Sequence, residues 1–423
     1  MRKFILSFLI ISILYSCSIA KHQKLRKQTQ STLSSAHFEN QFVGFFVIDP
    51  EKKDTLINYN GSKYFTPASN TKIATLYTAL QTLPDQIPAL KYSIVNDTVF
   101  VEGTGDPTLL HPYFKDSTAV HFLKSFDHIA LYLNNFEEDK YGPGWAWEDY
   151  GTYFQPERNS FPIYGNVATI FTSDSLHVTP AYFKNQVTAI NFNIPREEKS
   201  NTFYINPTEK DTLETPFIID SSLTKTLLEN VLHKKITITN FMPEGERHTL
   251  FSIPSDTLYK RMMKVSDNFL AEQLLILSSA MLSDTLSIAK AQDHILRTQL
   301  ADLKQAPRWV DGSGLSRYNL FTPASLVHIL TKLYQEQPRE RIFNIFPVGG
   351  VSGTLKNWFE GTNKPFIYAK TGSLGNTYCL SGYLLTKSGK LLIFSFMNNH
   401  YKQPTSALKQ QMQAIFENIR DNY

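Results

Sequence analysis

The sequence predicts a mixed α+β fold: an antiparallel sheet flanked by helices, with a β-rich insertion in its middle. Three observations point there. A strand-like hairpin near the start runs directly into an apolar-periodic helix, and three strand-like runs near the end are followed by another helix. Residues 257–300 carry helical periods. Residues 85–255 alternate short strand-like pieces with Pro, Asn, Asp and Gly. Helices packed on both faces of an antiparallel sheet suit this order. At 423 residues, with 13% aromatic and 19% charged side chains, the chain is globular and long enough for two or three domains.

The first element is an export signal over residues 1–17. Arg2-Lys3 supplies its charged start and Phe4 to Tyr15 its apolar run, too short for a comfortable membrane span. Leu14-Tyr15-Ser16-Cys17 resembles a bacterial lipobox with Cys17 as the lipidated residue. Residues 18–36 are polar and basic and read as a tether. Phe42–Ile48 and Thr55–Tyr59 are strands of a hairpin, and a helix follows to about Leu83. In the insertion, Val99–Glu102, Val167–Thr172, Val187–Phe192 and Ile236–Thr239 are strand-like, and Ser222–Leu232 is helical.

Helices are expected at Leu258–Val265, Phe269–Met281, Ser287–Leu300 and Pro323–Gln337. Three strands follow, at Phe366–Lys370, Tyr378–Leu385 and Leu391–Met397, and residues 405–423 close the chain as an amphipathic helix. The resulting division is 37–84 with 256–423 as one domain and 85–255 as an inserted, β-rich one.

The net charge of +4 is misleading. Residues 1–36 hold Arg2, Lys3, Lys21, Lys24, Arg26 and Lys27 and no acid, so subtracting those six leaves about −2 for the rest. A folded part that is not basic argues against a nucleic-acid partner. The second cysteine, Cys379, sits in an apolar strand-like run and reads as a small buried hydrophobe. With Cys17 lipidated, no disulfide is possible. The eleven histidines show no metal-ligand spacing with a carboxylate partner, so neither a metal nor any other cofactor is expected.

The chemistry is expected at Ser69-Asn70-Thr71-Lys72. A serine in a first helical turn and a lysine three residues on share a face, which suits a nucleophile and its base. Alone the pattern is weak, since Ser-x-x-Lys also occurs at Ser18, Ser222, Ser287 and Ser406. Two further elements lift Ser69 above these: Ser266-Asp267-Asn268, whose bland reading is helix capping, and Lys370-Thr371-Gly372. Lys387-Ser388-Gly389 is a decoy for the latter, because it occupies a turn. Three such elements in this order resemble the signature set of penicillin-binding proteins and serine β-lactamases.

That resemblance implies roles. Ser69, near the positive end of a helix dipole, is the nucleophile. Lys72 is its base once burial and a second cation, Lys370, lower its pKa from about 10.4. Ser266 passes a proton to the leaving amine, and Asn268 holds the substrate amide and Lys72. Lys370 and Thr371 bind a terminal carboxylate, and Gly372 lets substrate backbone lie close to the strand. The N–H groups of Ser69 and Ser373 make an oxyanion hole.

Ser69 and Ser266 lie 197 positions apart, much further than in compact β-lactamases. This layout resembles the peptidase S13 family, the low-molecular-mass class C penicillin-binding proteins with D-Ala-D-Ala carboxypeptidase and endopeptidase activity. Gly103–Leu109, Gly142–Asp149 and Asp311–Arg317 with Asn319 are similar to further segments of that family. The resemblance implies a β-lactamase/DD-peptidase-like transpeptidase fold in the periplasmic envelope, with peptidoglycan peptides and β-lactams as ligands. It also implies a pocket for the acyl-side residue of the stem peptide, formed by Arg317 with Glu148 or Asp149 and Tyr153. Glu148 departs from the more usual Asp. The bland readings are core packing for Trp145 and Trp147 and a simple turn at Asp106-Pro107. Two other functions fit the scaffold. A β-lactamase or esterase lacks support because no Glu-x-x-x-Asn loop of the usual type is present. A silent binding protein is disfavoured because every motif residue is present.

Overall fold

A computed structural model describes residues 22–208 and 211–423. The expected signal segment with Cys17 lies outside these residues. Residues 22–33, expected within the tether, instead form a helix, α1, with Leu25, Thr29 and Leu33 buried. Their spacing of four puts them on one helix face, and Leu25 and Leu33 join the same core as Val47 and Leu56. The stripe is narrow and sits among charged neighbours, so it carries little periodic signal.

The hairpin β1 (Phe42–Asp49) and β2 (Asp54–Tyr59) turns on Asp49, whose Oδ1 accepts the N–H groups of Glu51 and Lys52. A 3-10 turn, Ala68–Thr71, leads into α2 (Lys72–Thr82). The next stretch holds β3 (Gln86–Val95), β4 (Thr98–Gly103), α3 (Thr118–Lys124), β5 (His128–Tyr132), β6 (Val167–Thr172), β7 (Leu176–Thr179), β8 (Val187–Thr188), β9 (Phe203–Tyr204), β10 (Leu213–Pro216), α4 (Ser221–Leu232), β11 (Ile236–Thr239) and β12 (His248–Pro254). It builds a five-stranded sheet, β11-β5-β4-β3-β12, and a three-stranded one, β10-β6-β7. The strand expected at Val187–Phe192 pairs over only two residues, and Ile190 and Phe192 are exposed. Phe192 meets the Tyr204 ring (centroids 4.8 Å apart), a side-chain contact that does not extend the strand.

The last part contains α5 (Ser255–Val265), α6 (Asn268–Leu282), α7 (Ile288–Arg297), α8 (Pro323–Glu336), α9 (Arg339–Ile345), β13 (Ile367–Leu374), β14 (Thr377–Leu385), β15 (Leu391–Asn399) and α10 (Thr405–Asn422). Strands from both chain ends form one antiparallel sheet, β13-β14-β15-β1-β2. Its side chains alternate between two cores. Cys379, Tyr383, Ile393 and Met397 meet α2, α6 and α8, whereas Leu380, Leu384, Phe394 and Phe396 meet α1 and α10. Burial pushes the Cys379 thiol up to about 12, so it behaves as an inert core residue. β13 is an edge strand and runs four residues beyond Lys370. Lys370-Thr371-Gly372 therefore lies inside a strand, where the sequence had suggested a strand end.

Candidate active site

Ser69 occupies the 3-10 turn and Lys72 begins α2. In a 3-10 turn, residues i and i+3 eclipse, so the amine stands beside the hydroxyl. Lys72 Nζ donates to Ser69 Oγ (3.0 Å), to Asn268 Oδ1 (2.7 Å) and to the carbonyl of Ser313 (2.7 Å). These three acceptors match the three protons of an ammonium. The preceding residue, Ala68, has φ +47°, a left-handed conformation that a side chain tolerates only when its surroundings hold it there.

Asn268 is the first residue of α6, and Asp267 caps that helix by accepting the Leu270 N–H (3.1 Å). Asp267 thus bears out the capping reading, while the Asn268 side chain turns to Lys72. Ser266 ends α5 in a left-handed conformation, φ +62°. Its Oγ accepts from Lys370 Nζ at 2.8 Å, and the same amine donates to the Thr371 carbonyl (2.8 Å). Thr371 Oγ1 donates to Thr354 Oγ1 (2.8 Å).

Gly372 has a reason the sequence did not suggest. A Cβ there would stand 2.5 Å from the Pro67 carbonyl oxygen and 3.0 Å from Asn70 N. The glycine lets β13 approach the turn that carries Ser69. Asn70 ties the two together: its Nδ2 donates to the Lys370 carbonyl (2.9 Å), and its Oδ1 accepts from Ser381 Oγ (2.5 Å).

The Asp311–Arg317 loop braces the other side. Asp311 accepts from Gly314 N (2.8 Å), Ser316 N (2.6 Å), Asn319 Nδ2 (2.7 Å) and Trp145 Nε1 (2.9 Å). Gly314 has φ +82°, and a Cβ there would lie 1.9 Å from the Ala68 carbonyl oxygen. Glu272, buried on α6, accepts the Ser313 N–H (2.7 Å) and pairs with buried Arg158 (3.3 Å). Sequence reasoning missed Glu272, although it stands four residues after Asn268 on the same helix face. In the sequence, Asp311 stands out only as part of the Asp311–Arg317 string.

Both lysines are fully buried. Burial lowers Lys72 to about 8, against the opposing pull of Asp311, Glu272 and Asp267. Lys370 is depressed well below its ordinary value, by burial first and by Lys72 second. At neutral pH the pair therefore holds less positive charge than two free lysines would.

Above them opens a cleft of about 680 Å³, lined by Ser69, Ser266, Asn268 and Ser373 on one side and by Asp149, Tyr153 and Arg317 on another. Arg317 Nη1 donates to the Gly375 carbonyl at 3.3 Å and is otherwise exposed. Burial and neighbouring Glu148 raise the Asp149 carboxyl. Glu148 itself does not line the cleft, so Asp149 is the acid that faces it. Trp147 is 75% exposed, which removes it from the core, while Trp145 bridges to Asp311. Asp106 is buried with Thr108 and Ser252 as partners, more than a simple turn requires.

A model of the D-Ala-D-Ala carboxypeptidase 3 (S13) family matches residues 25–419. The D-alanyl-D-alanine carboxypeptidase DacB of Haemophilus influenzae is 23% identical over 91% of this chain and 91% of its own length. The crystal structure of penicillin binding protein 4 (dacB) from Haemophilus influenzae superposes with a TM-score of 0.74 at 21% identity, covering 93% of this chain and 99% of that one. Bd3459, a predatory peptidoglycan endopeptidase from Bdellovibrio bacteriovorus, shares the fold at a TM-score of 0.52 and 15% identity, over 90% of this chain and 92% of its own.

Proposed function

The chain belongs to the D-Ala-D-Ala carboxypeptidase 3 (S13) family, and from that membership we propose a residue-level account of its reaction. The enzyme is a serine-type D-Ala-D-Ala carboxypeptidase/endopeptidase of the bacterial cell envelope, acting on peptidoglycan stem peptides and binding penicillin. Ser69 Oγ attacks the carbonyl carbon of the scissile amide, and its proton passes to Lys72. The N–H groups of Ser69 and Ser373 hold the oxyanion; one such donor is typically worth about 3 kcal/mol. As the C–N bond breaks, the proton travels through Ser266 to the leaving amine. Water then attacks the Ser69 ester, with Lys72 as base again, and frees the shortened peptide.

In the free enzyme positive charge favours Lys72, which faces Asp311, Glu272 and Asp267. Lys72 acts only once it has lost that proton, since a base must be neutral, and Lys370 with Thr371 holds the substrate's terminal carboxylate. The acyl-side residue lies against Arg317, Asp149 and Tyr153, a cation and an anion that suit a side chain ending in both amine and carboxylate, such as diaminopimelate. Residues 85–255 act as an inserted domain that supplies Asp149 and Tyr153.

The observation that carries this reading is Lys72 Nζ within hydrogen-bond reach of both Ser69 Oγ and Asn268 Oδ1 while fully buried. Labelling with a fluorescent penicillin tests it. Label on the wild type and none on Ser69→Ala is expected; equal labelling of both removes Ser69 as nucleophile. Residues 1–17 are read as a cleaved lipoprotein signal that anchors a periplasmic enzyme through Cys17. Cys17→Ala should then move the enzyme from the membrane to the soluble fraction.

A further inference from the structure

The turn joining β13 to β14 separates two concavities. Gly375 lines the catalytic cleft. The carbonyl of the next residue, Asn376, accepts the His400 N–H at 2.7 Å, and His400 lines a second cavity of about 600 Å³. Phe65, in the wall of that cavity, is four residues before Ser69. Four residues of chain span at most about 14 Å, so the two sites are close neighbours.

The walls of this second cavity have the composition of a ligand site rather than of a packing defect. Phe42 is 65% exposed and Tyr64 48% exposed. The Phe42 ring meets that of His400 edge-on, with centroids 5.5 Å apart. Tyr64 is fixed by its hydroxyl, which donates to the Ala306 carbonyl (2.7 Å). Polar groups share the same walls: Asn60, Lys63 and Gln41. Gln41 Oε1 is a buried acceptor with no hydrogen-bond partner among the described residues. Single exposed apolar side chains are ordinary, but several rings gathered in a concavity with a few polar groups form a binding pocket.

We propose that this cavity is a saccharide subsite that holds the glycan strand of peptidoglycan while its stem peptide lies in the cleft. The inference rests on the reading of the substrate as peptidoglycan. A pyranose offers an apolar C–H face to Phe42 and Tyr64, and its hydroxyl and acetamido groups meet Asn60, Lys63 and Gln41. A purely apolar occupant would leave Gln41 Oε1 without a partner, whereas a sugar hydroxyl or acetamido N–H can donate to it. A stem peptide of about four residues extends to about 14 Å, no shorter than the longest separation that the chain from Phe65 to Ser69 permits.

Two measurements test the subsite on the lipid-free enzyme. The first is calorimetric titration with a peptide-free oligosaccharide of alternating N-acetylglucosamine and N-acetylmuramic acid, using wild type, Phe42→Ala and His400→Ala. Saturable binding by the wild type, weakened about fivefold by each variant, is expected from the loss of one ring contact. The second compares kcat/KM for D-Ala release from a disaccharide-linked pentapeptide and from the free pentapeptide. The wild type should favour the linked substrate through KM, and the variants should lose that preference while keeping activity on the free peptide. Absence of saturable oligosaccharide binding by the wild type, or a preference unchanged in both variants, overturns the subsite. If the wild type releases D-Ala from neither peptide, the proposed reaction fails instead, and the titration still decides the subsite.

Discussion

Lys370 Nζ lies 2.8 Å from Ser266 Oγ, although 104 residues of chain separate them. A buried lysine aimed at one hydroxyl of the cleft suits a proton path from Lys72 through Ser266 to the leaving group. Removing that hydroxyl by Ser266→Ala leaves Lys370 only the Thr371 carbonyl among the acceptors described above. General acid–base steps contribute roughly a hundredfold or more. Penicillin acylation of Ser266→Ala, followed by stopped flow, should slow by about that factor. A change under about twofold would take Ser266 out of the proton path.

The pH dependence of acylation follows from Lys72. Its folded-state pKa of about 8 lies below the usual lysine value because burial disfavours the charge. The active form is the neutral amine, so the acylation rate should rise with pH and level off above about 8. At pH 6 only about one molecule in a hundred has neutral Lys72 in the free site. A pH–rate profile of kcat/KM reports the free enzyme. A rate that falls between pH 6 and 8 would contradict the role of Lys72 as base.

Gly314 and Gly389 form a matched pair for testing how tightly the site is packed. Both have positive φ, +82° and +86°, but a Cβ on Gly389 would meet nothing within 4 Å, whereas one on Gly314 would overlap the Ala68 carbonyl. Gly389→Ala should cost only the left-handed strain, about 1 kcal/mol. Gly314→Ala adds a backbone clash beside Ser69 and should cost more than about 3 kcal/mol. Urea titration measures the difference, and penicillin labelling should be lost only in Gly314→Ala. Equal costs would mean that the Asp311–Arg317 loop yields freely.

The legible part of this molecule is the part whose chemistry is written in short contiguous strings. Ser69 with Lys72, Ser266 with Asn268, and Lys370 with Thr371 each sit a few residues apart, and local periodicity located their elements. The groups that make those strings work come from far away in sequence. Glu272 matters through Arg158 and Ser313, Asp311 through Trp145, and Gly372 through the Pro67 carbonyl. No window of sequence contains both members of such a pair. The helix at residues 22–33 escaped for a different reason: its apolar face is one residue wide, and tertiary packing of Leu25 and Leu33 supplies what propensity does not.

Arg158 and Glu272 form a buried ion pair, 3.3 Å apart, between the β5–β6 connection and α6, the helix that carries Asn268. Arg158→Met would leave Glu272 buried without its cation. Such uncompensated charges cost about 3 kcal/mol or more. The cost depends on pH with a definite sign. Burial, and then Asp311, raise the Glu272 carboxyl to about 6, above its ordinary 4.5. The native state then binds more protons than the unfolded one between those values, so stability falls as pH rises through that window. Without Arg158 the carboxyl moves higher still. The gap between wild type and variant should therefore be large at pH 7 and shrink at pH 5. A gap independent of pH would assign the loss to packing and not to charge.

Arg317 tests substrate recognition apart from chemistry. Its guanidinium touches the Gly375 carbonyl at the cleft rim and is exposed, so Arg317→Ala should leave the fold and the Ser69–Lys72 contact in place. A solvent-accessible ion pair with a substrate carboxylate contributes about 1 kcal/mol, roughly fivefold in affinity. KM for a stem peptide carrying diaminopimelate should rise by that factor with kcat nearly unchanged. A peptide carrying lysine at the same position, which lacks the side-chain carboxylate, should lose nothing. An equal rise for both peptides would mean that Arg317 shapes the β13–β14 turn through Gly375 instead of reading the side chain.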